Sequence, residues 1–501
     1  MVKDAQKWLQ RKSEFELNVK QICNFEVCKI KFQMKKILLI VACFISVYSF
    51  GQNKDKKNYK EKISGFWQGV LSTSGKSYHV TFNIQKDEKD SLSGKLNVKE
   101  QGVVDLPMDK TWLKDSLLTM VCKVANIRYE GVFNFDSMKI KGVWKQHSAK
   151  IDLVLAHSDT VKVVNHPQEP KRPFPYTEEE VTVESTNGVK LAGTLTYPST
   201  GDNFTAVVMV TGSGPQNRDE EIMGHKPFLV ISDYLTRNGV AVLRCDDRGT
   251  NASTGDYAKA SSVDNADDAL ACIEFLKKHA KINPKKIGII GHSEGGLIAP
   301  MIAAKTKDVA FIIMLAGPGL SGDKILDLQR ELISRAEKEN EDSLKMDIAL
   351  ADKMFAIVKK EKDDKKAGEQ MRKIYKESLP DSLKNDIKTS LQFSQQIATL
   401  TSSWMRFFLS YDPQKSLKKV KCPVLALNGE KDLQVPPKEN IPAIEAALKK
   451  AGNKDYTVKE MPGLNHLFQH CTTGSPSEYA NIEETFSPEV LDMIAKWILK
   501  R

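Results

Sequence analysis

A serine, an acid and a histidine lie along this sequence in an order that suits nucleophilic catalysis. The serine is Ser293, within the G-x-S-x-G pattern Gly291-His292-Ser293-Glu294-Gly295. A serine hydroxyl attacks an ester or amide carbonyl only with a base in reach, an anion that orients the base, and backbone donors for the oxyanion. Without those partners the same pattern is an ordinary glycine-rich turn capped by a serine.

The residues on either side of Ser293 favour the catalytic interpretation. Residues 287–290 form a short β-branched apolar run, typical of a buried strand, and residues 296–303 are small and apolar, as in a helix against a sheet. A serine between a strand and a helix sits in a tight, strained turn, from which its hydroxyl projects above the sheet. The small residues Gly291 and Gly295 relieve the crowding in such a turn.

The general base is sought among the histidines after Ser293, because the partners of this turn follow in the order serine, acid, histidine. Only His466 and His470 qualify, and His466 is preferred because it follows the predicted strand 456–461 directly. A loop histidine that caps a neighbour is the structural alternative. The pair lacks the intervening glutamate of a helical zinc motif, so no metal site is predicted.

The acid should follow the preceding strand, which is predicted at residues 423–428. Asp432 is the candidate, in the sequence Gly429-Glu430-Lys431-Asp432, and Glu430 is its nearest rival. A carboxylate there can reach the far imidazole nitrogen once the two loops meet above the sheet. The alternative role for Asp432 is to stabilise its own turn through its side chain.

Two backbone N–H groups are needed for the oxyanion. One should belong to Glu294, the residue after the serine, and the other to the loop Gly212-Ser213-Gly214-Pro215 that follows the apolar run 207–211. Ser213 is the predicted donor of that loop. The loop carries no phosphate-binding or dinucleotide motif, so no cofactor is predicted.

The elements that must position these residues divide the chain into parts. Residues 63–157 alternate short β-like runs with turns, which predicts a small antiparallel barrel or sandwich. Four prolines stiffen a linker at residues 158–176. Residues 177–501 then alternate strands with helices, which predicts a mostly parallel sheet of the α/β class. A charged, amphipathic stretch at about 321–416 interrupts that alternation and is predicted to be a helical insertion.

The motifs together resemble those of the α/β-hydrolase superfamily, and more narrowly those of secreted bacterial carboxylesterases related to the serine aminopeptidase (S33-like) group. The resemblance covers residues from about 177 to 501 and rests on five stretches. These are residues 211–219, Asp246-Asp247-Arg248-Gly249, Gly291-His292-Ser293-Glu294-Gly295, residues 427–432 and Leu464-Asn465-His466. It implies a triad of Ser293, Asp432 and His466, a cap formed by the helical insertion, and a structural role for Arg248. For the β-domain it implies only an accessory role.

Composition argues against nucleic acid as a partner, although the formal net charge is +10. Half of that excess lies in residues 1–51, which hold nine Lys and Arg against four Asp and Glu. Residues 34–51 have the basic start, apolar stretch and small residues of a signal peptide, whose apolar run is too short to span a membrane. We therefore predict Met34 as the true start, residues 1–33 as a wrongly assigned extension, and an exported protein that is periplasmic or secreted. Cys43 offers a less favoured lipoprotein alternative.

Three functions are compatible with these features. The first is a serine hydrolase that cleaves carboxylic esters of small molecules through an acyl-enzyme. The second is a peptidase or aminopeptidase with the same triad, which would need acidic groups to hold a substrate ammonium. The third is an exported binding protein with an inert hydrolase core. Cleavage after Gly51 would leave five cysteines, an odd number without metal spacing, most of which are predicted to be buried small hydrophobes.

Overall fold

The structure is a computed structural model that describes residues 62–73, 76–87, 90–98, 103–146, 149–158, 165–379, 381, 384 and 387–501. The predicted signal peptide, the upstream extension and Cys43 lie outside these residues. The chain divides into two compact units, Met1–Val163 and Val164–Arg501. No helix in the described ranges is long and apolar enough to cross a membrane.

The first unit is an antiparallel β-barrel. Its strands are β1 (Gly65–Thr73), β2 (Lys76–Lys86), β3 (Leu92–Val98), β4 (Val103–Pro107), β5 (Lys110–Lys114), β6 (Leu117–Cys122), β7 (Ile127–Asn134), β8 (Lys139–Gln146) and β9 (Ala149–Ser158). The order is β2-β1-β9-β8-β7-β6-β5-β3-β4, and a further β2–β3 pairing closes the ring. Among the described strands, β4 pairs with β3 alone, so it extends the sheet without belonging to the closed ring.

Aromatic side chains fill the interior of the barrel. Trp67, Phe82 and Tyr129 are fully buried and belong to one hydrophobic cluster. The polar atoms of the tryptophan and the tyrosine are hydrogen-bonded. Trp67 Nε1 donates to the Ile63 carbonyl at 2.6 Å, and Tyr129 Oη donates to the Leu153 carbonyl at 3.1 Å. The interior is therefore a packed core that the alternation of inward and outward residues creates.

The second unit is a mixed eight-stranded sheet with helices on both faces. Its strands are β10 (Tyr176–Glu184), β11 (Lys190–Pro198), β12 (Phe204–Val210), β13 (Ala241–Cys245), β14 (Ile282–His292), β15 (Phe311–Leu315), β16 (Val424–Gly429) and β17 (Tyr456–Met461). The order is β10-β11-β13-β12-β14-β15-β16-β17. The pairings β10–β11 and β11–β13 are antiparallel and the rest are parallel.

The helices of this unit are α1 (Pro227–Arg237), α2 (Ser262–Lys278), α3 (Glu294–Ala303), α4 (Gly322–Ala336), α5 (Glu341–Lys360), α6 (Asp364–Ser378), α7 (Ile387–Leu400), α8 (Ser403–Ser410), α9 (Gln414–Leu417), α10 (Pro437–Lys450) and α11 (Pro488–Ile498). The sequence sets several of these boundaries locally. A capping box of Ser261 and Asp264 starts α2, and proline occupies the first position of α1, α10 and α11.

Alternate residues of the central strands belong to two separate hydrophobic cores, one on each face of the sheet. Val208, Ile289 and Ile312 pack on one face of the sheet with residues of α2, α3 and α10. Their chain neighbours Val207, Ile290 and Ile313 pack on the other face with residues of α1 and α11. Burial on both faces explains the continuous apolar runs of these strands. The predicted fold class, an α/β-hydrolase fold preceded by a small β-domain, is confirmed.

Helices α4 to α9 form the insertion between β15 and β16. Part of it has a hydrophobic cluster of its own, which includes Phe355, Met371 and Phe393. The insertion thus packs around its own apolar residues and leaves the parallel order of β15 and β16 intact. Pro380, the break noted in the sequence, lies outside the described residues.

The proline-rich segment is bound to the second unit along its described part. The Gln168 side chain accepts the backbone N–H groups of Thr485 and Phe486 at 2.6 and 3.0 Å and donates to the Phe486 carbonyl. Lys226 forms an ion pair with Glu169. Residues 165–176 are therefore held by specific contacts, although the sequence suggested only a stiff linker.

Candidate active site

Ser293 lies in a left-handed turn between β14 and α3, with φ 51° and ψ −114°. Side chains rarely adopt this conformation, and it is held here by close packing. A Cβ atom at Gly291 would lie 2.0 Å from the Gly295 carbonyl oxygen, and one at Gly295 would lie 2.0 Å from the Val210 carbonyl oxygen. The two glycines thus allow helix α3 to start directly against the strands. Ser293 stays partly exposed at the carboxyl edge of the sheet.

Asp432 and His466 are hydrogen-bonded to each other. His466 Nδ1 lies 2.8 Å from Asp432 Oδ2, and both residues are buried. The other oxygen of Asp432 accepts the backbone N–H groups of Gln434 and Val435, each at 2.8 Å. Because the carboxylate is an acceptor, Nδ1 carries the proton and Nε2 keeps its lone pair. His466 is therefore in the tautomer that a general base needs.

The loops that carry these two residues meet because Gly429 ends β16. A Cβ atom there would lie 2.3 Å from the Leu464 carbonyl oxygen and 2.5 Å from that of Asn465. The rival residues are occupied elsewhere. Glu430 accepts the Gly463 N–H, and His470 is exposed and contacts Glu484.

His466 lies beside the residue that precedes the serine. The rings of His292 and His466 are 4.9 Å apart between centroids, and His292 Nε2 lies 3.0 Å from the His466 carbonyl oxygen. The Ser293 hydroxyl forms no hydrogen bond with His466 or another described side chain. Such bonds are often long without substrate and tighten when it binds.

The loop after β12 has its backbone donors divided between side chains. The Gly212 N–H is bound by Glu220 at 2.7 Å, the Gly214 N–H by Tyr257 at 3.1 Å, and the Gln216 N–H by Asp247 at 2.9 Å. Pro215 has no N–H. Within this stretch of the described chain, the Ser213 N–H alone has no acceptor. The Glu294 N–H, at the start of α3, has none either among the described groups.

Glu220 and His292 form a buried pair behind these loops. His292 Nδ1 lies 2.9 Å from Glu220 Oε1, the oxygen that also accepts the Gly212 N–H. Burial by itself lowers the pKa of His292, but Glu220 and the His466 carbonyl outweigh it and raise the pKa. The His466 carbonyl can only accept, so His292 Nε2 donates to it, and His292 Nδ1 faces the Glu220 carboxyl. The pair thus joins the loop after β12, the residue before Ser293 and the loop of His466.

Glu294 follows Ser293 directly in the sequence, and its side chain is buried. Its carboxyl oxygen Oε1 lies 2.6 Å from Ser262 Oγ, and Oε2 accepts from Trp404 Nε1 at 2.8 Å. Burial raises its pKa above the usual range, although these two bonds act in the opposite direction. Trp404 lies in α8, so the helical insertion contacts the residue next to the serine.

Arg248 lies away from the chemistry and binds helix α2. Its guanidinium donates to both carboxyl oxygens of Asp268, at 2.7 and 2.8 Å, and to the Asp264 carbonyl. This arrangement fits the structural role that the resemblance implied.

Sequence reasoning missed the side chains that support the site. His292 is the variable second position of the motif, and Glu220 and Asp247 lie in or beside the stretches that carry the resemblance. Trp404 gives no signal of its own in the sequence. Within the described residues no cluster of three or more His, Cys, Asp or Glu is suited to a metal ion. The five cysteines among the described residues are free. Cys122 and Cys272 are buried, but Cys245, Cys422 and Cys471 are partly exposed, so the prediction that most of them are buried is wrong. The sulfur atoms of Cys245 and Cys272 lie 3.6 Å apart.

Asp247 gives the stability of this protein a defined pH dependence. Although part of its surface is accessible, enclosure by the chain raises the pKa of Asp247 to about 8, and Glu220 and Glu294 add to the rise. In an unfolded chain the pKa is about 4. The carboxyl therefore contributes stability that is fully present below about pH 4 and is lost as the pH rises toward and through 8.

We expect Asp247→Asn, which resembles the neutral acid, to remove this dependence. The free energy of unfolding of the wild type minus that of Asp247→Asn should fall between about pH 5 and about pH 9, in urea denaturation at constant ionic strength. Asp202→Asn, at an exposed turn, is the matched control and should give a flat difference. A difference for Asp247→Asn that is constant or rises with pH would show that the folded state does not retain this proton.

Comparison with known proteins places this chain in a family. Among curated relatives, esterase EstD from Thermotoga maritima is 26% identical over 330 residues, which cover 66% of this chain and 69% of that protein. Polyketide transferase ATR5 from Stachybotrys chlorohalonatus is 30% identical over 141 residues, or 28% of this chain and 44% of that protein. Among solved structures, esterase Pf2001 from Pyrococcus furiosus aligns with a TM-score of 0.40 and 18% identity, over 68% of this chain and 99% of that chain.

A family profile described as X-Pro dipeptidyl-peptidase (S15 family) matches residues 187–468. This range includes Ser293, Asp432 and His466. The predicted membership of the α/β-hydrolase superfamily is confirmed, while the narrower S33-like resemblance stays a prediction. Because the match covers more than half of the chain, this protein belongs to the S15 family.

Proposed function

We propose that this protein is a serine hydrolase that cleaves carboxylic esters through an acyl-enzyme, with Ser293 as the nucleophile. The observation that carries the proposal is the hydrogen-bonded pair of Asp432 and His466. His466 Nδ1 lies 2.8 Å from Asp432 Oδ2, and the carbonyl of His466 is hydrogen-bonded to His292, the residue before Ser293. A strained turn with a partly exposed serine beside an oriented imidazole is the arrangement that acyl transfer requires.

In the first half of the reaction, Ser293 Oγ attacks the ester carbonyl while His466 Nε2 takes its proton. The negative charge that forms on the carbonyl oxygen would be bound by the N–H groups of Ser213 and Glu294, which have no other acceptor in the described chain. His466 then gives its proton to the departing alkoxide, and an alcohol leaves. Asp432 stabilises the imidazolium throughout.

In the second half, His466 takes a proton from water, which attacks the acyl-enzyme at the same carbonyl carbon. The same two N–H groups would bind the second oxyanion. The proton returns to Ser293 Oγ as the bond to the acyl group breaks. The products are a carboxylic acid and the free enzyme, and no cofactor takes part in these steps.

An ester is favoured over a peptide as the substrate. The relative with the longer match carries the name esterase, while the family carries the name of a peptidase. An aminopeptidase would need free carboxylates to bind a substrate ammonium. Near Ser293, however, Glu220 and Glu294 are buried at 1% and 2% exposure and already engaged. We therefore assign small-molecule esters as the substrate class and treat amides as the competing outcome.

We also propose that the protein is exported, with residues 34–51 as a cleaved signal peptide. The support is the sequence pattern alone, because this segment lies outside the described residues. Export would place the enzyme in the periplasm or the medium.

Replacing Ser293 tests the mechanism directly. In assays with p-nitrophenyl acyl esters of increasing chain length, we expect Ser293→Ala to reduce kcat/KM by about 10⁴-fold or more. A fluorophosphonate should label the wild type and leave Ser293→Ala unlabelled. Ester turnover that survives the substitution would refute Ser293 as the nucleophile.

Aminoacyl and peptidyl nitroanilides assayed beside these esters separate the competing functions. Amide turnover faster than ester turnover would favour the peptidase. A wild type that neither reacts with the fluorophosphonate nor turns over any of these compounds would favour an inert binding protein.

The acid and the base can be tested against their own neighbours in the sequence. We expect Asp432→Asn and His466→Ala each to lower kcat by about 10³-fold or more, because the first removes the required tautomer and the second removes the base. Glu430→Gln and His470→Ala are the matched controls and should stay within about threefold of the wild type. A loss for Glu430→Gln as large as that for Asp432→Asn would reassign the acid.

Export is tested by expressing the gene in a bacterial host and sequencing the amino terminus of the mature protein. Cleavage after Gly51 should give a chain that starts at Gln52. Recovery in the cytoplasm with residues 34–51 still attached would overturn the proposal, and a lipid on Cys43 would support the lipoprotein alternative.

A further inference from the structure

Glu294 has two roles in the proposed site. Its backbone N–H is the proposed oxyanion donor, and its side chain contacts the helical insertion. Trp404 Nε1 in α8 donates to Glu294 Oε2 at 2.8 Å, across 110 residues of sequence. Ser262 Oγ, at the start of α2, lies 2.6 Å from Glu294 Oε1. Glu294 and Ser262 are 2% and 0% exposed. The carboxyl thus spans three elements in a site from which solvent is excluded.

In the part of the chain that the structure describes, this carboxyl has no positively charged partner. Among the described residues, no Lys, Arg or His forms an ion pair with Glu294. The titratable groups that interact with it are Asp247 after β13 and Tyr257, and both would be neutral or negative. The contacts from α2 and α8 are an uncharged hydroxyl and an indole. A buried carboxylate without a cationic partner is costly, so the neutral acid is favoured.

The neutral acid also fits the donors and acceptors of its partners. An indole N–H can only donate, so Glu294 Oε2 must be the carbonyl-type oxygen that accepts it. A serine hydroxyl can accept, so Oε1 can carry the proton and donate to Ser262. The direction in which burial moves the pKa of Glu294 agrees with this assignment. Every polar atom of the acid then has a partner.

We propose that Glu294 is a positioning residue that couples the insertion to the oxyanion hole, and that it acts as a neutral carboxylic acid held between Trp404 and Ser262. This inference rests on the proposed function, because it concerns the same N–H donor. Movement of α8 would pull on the Glu294 side chain and shift the backbone that follows Ser293. The insertion would thereby control the rate of acyl transfer as well as access for the substrate.

Four variants separate this role from simple packing. Glu294→Ala removes the link, and we expect kcat to fall on the order of 10²-fold, as for the loss of one oxyanion donor. Glu294→Gln keeps one acceptor for Trp404 and one donor for Ser262, so it should restore kcat to within a few-fold of the wild type. Trp404→Phe should lower kcat on the order of tenfold with a smaller change in KM.

The double variant Glu294→Ala with Trp404→Phe completes a double-mutant cycle. If Trp404 acts through Glu294, its substitution should cost less than about twofold once Glu294 is alanine. Trp497→Phe is the matched control, because the Trp497 indole N–H has no hydrogen-bond partner among the described residues. It should cost less than about twofold in both backgrounds. Urea denaturation of each variant establishes that it is folded.

The outcomes distinguish the two proposals. A folded wild type that shows no Ser293-dependent turnover and no fluorophosphonate labelling would refute the proposed function. An active wild type in which Glu294→Gln loses as much as Glu294→Ala would show that the neutral form is not what matters. Equal costs of Trp404→Phe in both backgrounds would show that the two residues act independently. Either of the last two results overturns the coupling and leaves the ester hydrolase intact.

Discussion

The turn at Ser293 is the constraint on which the rest of the second unit depends. A non-glycine residue at φ 51° is strained by about 1–3 kcal/mol, so the surrounding structure must hold it there. The hold is steric, since Gly291 and Gly295 allow backbone atoms to approach more closely than any side chain would permit. The same approach starts helix α3 with its first N–H groups at the carboxyl edge of the sheet. One backbone conformation therefore fixes together the position of the hydroxyl and of the Glu294 N–H, the proposed oxyanion donor.

Around this turn, buried or partly buried acidic groups position the loops. Glu220 and Asp247 each bind an N–H of the loop after β12, and Glu294 binds the insertion. Such groups tolerate burial because each shares a proton or a hydrogen bond with a neighbour, as His292 does for Glu220. Glu220 and Tyr257 bind the N–H groups of Gly212 and Gly214, the two residues that flank Ser213. A loop that presents a single free N–H between occupied ones is preorganised for one charge at one point.

Much of this arrangement could be predicted from sequence because it follows strand order. Ser293, Asp432 and His466 come at or after the ends of β14, β16 and β17, and parallel strands bring their carboxyl ends to one edge. The barrel was predicted less completely. The sequence indicated short β-like runs within residues 63–157 without fixing each strand. Strands β4 and β5 are weakly encoded, since Val103–Pro107 ends in proline and Lys110–Lys114 has lysine at both ends. The contacts of His292 and Trp404 join residues 72 and 110 positions apart. No local pattern encodes contacts of that kind.

The hydrogen bonds of Gln168 show that the second unit begins before its first strand, β10. Gln168 binds the backbone of Phe486. The ring of Phe486 packs in a tilted arrangement against that of Phe468, two residues beyond His466, with the ring centroids 5.3 Å apart. Ser487 donates to the Phe468 carbonyl and continues the same connection. Residues before β10 thus support the loop that carries His466. A fragment of the second unit that keeps these bonds has to include Gln168, so a segment that resembles a linker in the sequence belongs to the folded body of the α/β unit.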